Sequence, residues 1–161
     1  MNAGYQWSDA WILLATVYKG QKRPALLSDV IAVADYIQHA IVTFEEMEGG
    51  LARLTAGGFL VDRGGKLSPS RRTMLFYRSV TRPHRPVLKE QEDIQKLLDA
   101  SDWNPSVSPS DANRGASYPS LTRERFDQAV QDYLSMPSTV TGTKKKGKSS
   151  AATRGRSRAR R

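Results

Sequence analysis

The chain contains no cysteine and only two histidines among 161 residues. The first absence excludes disulfides and thiolate-bound metal. The second leaves little for imidazole chemistry, since neither His39 nor His84 has a second ligand at metal-binding spacing. No apolar run approaches the roughly 20 residues needed to span a bilayer. The N-terminal run AWILLATVY is short, follows Asp9 and lacks a basic flank, so it does not read as a signal peptide. Catalytic motifs are missing too. Gly64-Gly65-Lys66 fails the phosphate-loop pattern, because Leu60 stands five before Gly65 and Leu67 follows the lysine. No serine lies in a G-x-S-x-G elbow. Trp7, Trp11 and Trp103 read as packing residues rather than cofactor contacts. These absences point to a non-enzymatic, cytoplasmic chain with no cofactor, no metal and no membrane partner.

Acidic charge is missing from whole segments. From Lys144 to Arg161 there are nine cations and no acid: Lys144, Lys145, Lys146, Lys148, Arg154, Arg156, Arg158, Arg160 and Arg161. The formal net charge of +9 therefore lies in that segment, and residues 1–143 balance at 16 basic against 16 acidic. Residues 63–89 hold eight Lys or Arg and no acid, whereas residues 90–143 hold nine acids against four bases. Such blocks suggest an anionic partner, internal pairing, or both.

Helical spacing organises the rest. Ser8 is a candidate cap for a first helix carrying Trp11, Leu14, Ala15 and Tyr18, with Gly20 as its stop. A second helix is expected from Ser28, with Val30, Ile31, Val33, Ala34 and Ile37 on its apolar face. Thr43 and Glu46 form a T-x-x-E capping box for the third, which ends at Gly57-Gly58. Phe59 to Asp62 reads as a short strand, Arg63-Gly64-Gly65 as a turn and Lys66 to Ser68 as the returning strand. Ser68 and Pro69 suggest the cap and first residue of a fourth helix, with Met74, Leu75 and Phe76 or Tyr77 turned inward. Amphipathic helices are expected over 86–100 and 121–136, separated by a Ser/Pro-rich loop at 102–120. Their apolar stripes could join two copies as a homodimer or cover the preceding domain. Residues 137–161 have almost nothing to bury and are expected to be a disordered basic tail.

The stretches LLSDVIAVADYI and TFEEMEGGLARLTAGGFLVDRGGKLSPS resemble the winged helix-turn-helix domains of bacterial regulators such as the MarR and PadR groups. The resemblance implies a mainly α fold. Three helices and a β-hairpin wing would occupy residues 1–82; the additional helices of residues 83–136 and the tail at 137–161, read from spacing and composition, lie outside the resemblance. It also implies that the third helix enters the DNA major groove with Glu45, Glu48, Gly49, Ala52 and Arg53. The wing would present Arg63, Gly64, Gly65 and Lys66.

Two features pull against each other. Glu45, Glu46 and Glu48 open the third helix, where carboxylates suit the positive helix end but repel phosphates. Arg63, Lys66, Arg71, Arg72, Arg78, Arg82, Arg85 and Lys89 either contact an anion or pair with the acids that follow. The expected nucleic-acid contacts are Arg53, Arg63, Lys66, Arg71, Arg72 and the nine tail cations. Full engagement of that tail predicts a salt slope of about −8, at about −0.9 per phosphate. DNA is the expected partner, with RNA the other polyanion that fits. The reading is of low or partner-dependent sequence specificity. The alternative is a protein-interaction module whose third helix docks a partner, the tail being accessory.

Overall fold

The computed structural model describes residues 4–101 and 121–137. The 102–120 loop, Trp103 and the whole basic tail lie outside the described residues. Within them, six helices accompany one two-stranded antiparallel sheet. In chain order these are α1 (Trp7–Gly20), α2 (Leu27–Gln38), α3 (Phe44–Ala56), β1 (Leu60–Arg63), β2 (Lys66–Pro69), α4 (Arg71–Val80), α5 (Val87–Asp99) and α6 (Arg123–Leu134). The expected mainly helical layout with a small hairpin is what is found.

Helix α1 is apolar on nearly every side, and a helix of that composition belongs inside. Every residue from Ala10 to Val17 is buried, with α2, α3, α5 and β2 packed around it. Its start differs from the sequence reading. Gln6 is the cap, and its amide donates to Asp9 Oδ2 at 2.8 Å, so Asp9 rather than Ser8 closes the first turn. In α2, Leu26 precedes the helix and its amide donates to Asp29 at 3.3 Å. Helix α3 begins as its sequence says. Thr43 N–H donates to Glu46 Oε2 at 2.9 Å, and Glu46 N–H donates to Thr43 Oγ1 at 3.2 Å.

The hairpin pairs Leu60 with Pro69 and Arg63 with Lys66 at its ends. Its turn needs positive φ at two consecutive residues, and Gly64 (63°) and Gly65 (82°) supply it. Asp62 Oδ1 accepts the Gly65 amide at 2.7 Å. A single bridge between Ala25 and Leu67 attaches the α1–α2 connection to β2.

Ser68 and Pro69 lie in β2, so α4 starts later than expected. Ser70 is its cap, with Ser70 Oγ accepting the Thr73 amide at 3.3 Å. Thr73 is the fully buried residue of α4 and donates to the Phe59 carbonyl at 2.8 Å. Phe76 and Tyr77 pack against the core, while Leu75, expected inside, is 59% exposed.

One hydrophobic cluster unites Ile12, Ile31, Leu54 and Leu67 with Ile94 and Leu98 of α5 and with Phe126 and Ala129 of α6. The core therefore runs across residue 82, and the apolar stripes of α5 and α6 are covered by the chain itself. A buried carboxylate marks the α1–α4–α5 junction. Glu90 accepts from Tyr18 Oη at 2.5 Å and from Tyr77 Oη at 3.1 Å. No described helix is long and apolar enough to cross a membrane.

Candidate nucleic-acid interface

The three glutamates of α3 have separate roles. Glu46 closes the capping box. Glu45 Oε1 accepts from Arg123 Nη2 of α6 at 2.6 Å, a contact exposed on both sides. Its own backbone amide at the helix start, and then Arg123, hold the Glu45 carboxyl below its usual pKa. Arg123 also lies 4.2 Å over the Phe44 ring, and Phe126 meets Phe44 edge-on at 5.7 Å. The first turn of α6 thus sits against the entrance of α3. It reaches the hairpin as well: a Cβ on Gly65 would fall 2.1 Å from Arg125 Nη2. Farther along, Tyr133 donates to Asp35 of α2. Glu48 remains half-buried on α3.

Arg53 does not join the exposed cations. Its Nε and Nη2 donate to the two oxygens of Asp9 at 2.8 and 2.7 Å, and Asp9 is fully buried. A buried carboxylate needs this geometry, because an unpaired one would be very costly. The expectation that Arg53 faces a groove is corrected accordingly: the guanidinium serves the interior. Gly50 makes the approach of the two helices possible, since a Cβ there would meet Ile12 Cδ1 at 2.6 Å and Asp9 Oδ1 at 3.1 Å.

The other expected body contacts are exposed. Arg63 and Lys66 face each other across the last hairpin pair, and both are open to solvent. Arg71 and Arg72 open α4, with Arg72 lying 4.8 Å over the Phe59 ring. Arg78 and Arg82, which the sequence reading left out of the site, are exposed too. None of Arg63, Lys66, Arg71, Arg78 and Arg82 pairs with an acid among the described residues. Of the eight cations in residues 63–89, Arg85 pairs with Asp93 and Lys89 with Glu92 among the described residues. On α4, Arg71, Leu75 and Arg78 recur at i, i+4 and i+7 and form one outward stripe. That spacing was available in the sequence, but the apolar side chain of Leu75 suggested an inward face, whereas Thr73 is the buried residue of α4.

What the arrangement can do is present exposed cations of the hairpin and the start of α4 to an anion, with Asp62 the one acid of the hairpin, held at the Gly65 amide. No group of three His, Asp or Glu among the described residues could hold a metal. Compared with known proteins, the chain matches no family model, no curated protein and no solved structure.

Proposed function

We propose that the chain is a non-enzymatic winged helix-turn-helix protein that associates with DNA mainly through phosphate contacts. The hairpin is the wing. Arg63, Lys66, Arg71 and Arg72 supply the body contacts, and the cations from Lys144 to Arg161 supply the tail contacts. The observation that carries the reading is that Arg63 and Lys66 of the hairpin and Arg71 and Arg78 of α4 are exposed and form no ion pair among the described residues, Asp62 of the hairpin accepting from the Gly65 amide. Phosphate contacts of this kind set affinity and position but carry no base information. With Arg123 and Phe126 against the start of α3 and Arg53 held by Asp9, base reading by α3 is restricted, so specificity is low or depends on a partner.

A second reading follows from the same α6 contact. The face formed by α2 and the start of α3 already holds an amphipathic helix through Phe126, Ala129, Val130 and Tyr133, the spacing by which helices dock in grooves. On that reading the domain is a protein-interaction module and the tail is accessory.

Duplex DNA binding across a salt series separates the two, measured on the full chain, on residues 1–140 and on Arg63→Ala with Lys66→Ala. Salt-sensitive binding that survives truncation and weakens in the double variant supports the DNA reading. Loss of all binding on truncation removes the body as a DNA-binding domain.

A further inference from the structure

Helix α6 is docked by little. Of its 12 residues only Phe126 and Ala129 are buried. Val130 and Tyr133 are half-buried, and the rest face water. Its polar ties lie at its two ends, Arg123 to Glu45 and Tyr133 to Asp35. The first is exposed on both sides, and such pairs add little stability. Helix α1 is enclosed by α2, α3, α5 and β2, so the centre of the core does not rely on α6. Elements with few buried apolar contacts are the ones that open locally. What α6 covers is the entrance of α3. Phe126 meets Phe44 edge-on, and Arg123 lies over the same ring while donating to Glu45 Oε1 at 2.6 Å. Its first turn also reaches the hairpin tip, where Arg125 crowds Gly65.

We infer that α6 is an autoinhibitory cover, which a DNA duplex displaces in order to engage α3. The inference rests on the DNA-association reading above and assigns regulation to the same face. In a helix-turn-helix reader the N-terminal residues of the recognition helix meet the base edges. Those positions here are Phe44 and Glu45, and both carry α6 side chains. Arg123 holds the carboxylate that would otherwise accept from a base donor such as cytosine N4. Exposed Glu124 and Asp127 stand in the same turns of α6, where their charge repels phosphates brought to α3. Docked, α6 limits the contacts to the hairpin, α4 and the tail. Released, it opens the start of α3. DNA therefore binds the released form more tightly, and a ligand that prefers one form shifts the chain toward it.

Hydrogen–deuterium exchange on the full chain, with and without duplex DNA, tests this in the parent protein. Amides of α6 from Asp127 to Leu134 should exchange faster when DNA is bound. Phe126→Ala loosens the cover and should tighten DNA binding about tenfold or more, because a minor form populated at about one part in ten or less weakens the apparent affinity by that fraction. Protected α1 amides in the variant show that its body is folded. Amides of α6 that slow or stay unchanged on adding DNA would overturn the inference. So would a folded Phe126→Ala chain that binds DNA no tighter than the parent. If Arg63→Ala with Lys66→Ala still weakened salt-sensitive binding in that case, the DNA reading would stand without it. No binding of DNA by the full chain would remove the reading and the inference together.

Discussion

Arg53 and Arg71 both sit on helices, eighteen positions apart, and the fold treats their guanidinium groups oppositely. Arg53 is bidentate to a fully buried carboxylate, with its side chain 21% exposed. Arg71 meets no acid among the described residues and faces water. The contrast teaches that a count of cations says nothing about which are available to a ligand. Availability is decided by where the nearest carboxylate is buried.

The largest expected effect lies on the interior side of this contrast. Arg53→Ala strands Asp9 in the core, and stability should fall by about 3 kcal/mol, read by urea unfolding. If the loss were small, Asp9 would have another source of compensation and the division between the two arginines would blur.

Alkali is the next probe, because it loosens the interior while the arginines stay charged. Burial pushes the Tyr5 phenol up to about 12. Burial, and then Glu90, push the Tyr18 phenol up; burial also raises that of Tyr77. Each raised group favours the fold in its neutral form. The contribution is complete below the unfolded tyrosine value of about 10 and is lost as pH rises through the folded values. Unfolding midpoints should hold up to about pH 10 and then decline, with phenolate absorbance appearing late. A decline that begins well below that value would point to other groups.

Smaller effects test α4 itself. Thr73→Val removes the hydroxyl that donates to the Phe59 carbonyl, and about 1 kcal/mol of stability should go. The carbonyl also accepts the Ser70 amide, so it is not left without a partner. Arg71→Ala should change stability by less than about 0.5 kcal/mol. It should nevertheless flatten the salt dependence of DNA binding by about 0.9 in slope, one phosphate contact. A stability loss equal to that of Thr73→Val would place Arg71 among the structural cations.

Local chemistry was the part of this chain that could be read in advance. Thr43 and Glu46 announced their helix start because a capping box involves only four consecutive residues. Gly64-Gly65 announced the turn because few other residues take positive φ twice running. The fourth helix shows where this fails. Ser68-Pro69 has the composition of a cap, but its backbone is recruited into β2, and the cap moves to Ser70. Leu75 was expected inside because it is apolar, but Thr73, Phe76 and Tyr77 take the inward face and leave Leu75 59% exposed between Arg71 and Arg78. The pairs Arg53–Asp9 and Arg123–Glu45 join residues 44 and 78 positions apart. No periodic pattern encodes partners at that separation, so the third helix looked more open, and more acidic, than it is.

The bridge between Ala25 and Leu67 has a mechanical meaning. Two hydrogen bonds, 2.7 and 2.9 Å, clamp the middle of β2 to the connection leaving α1. Alongside, Pro69 and Leu67 crowd Gly20 so closely that a Cβ there would sit 2.9 Å from Pro69 Cδ. The hairpin is therefore tied to the body at Leu67, directly beside the last residue of the central helix, so that a side chain at position 20 would press on the hairpin and the helix at once.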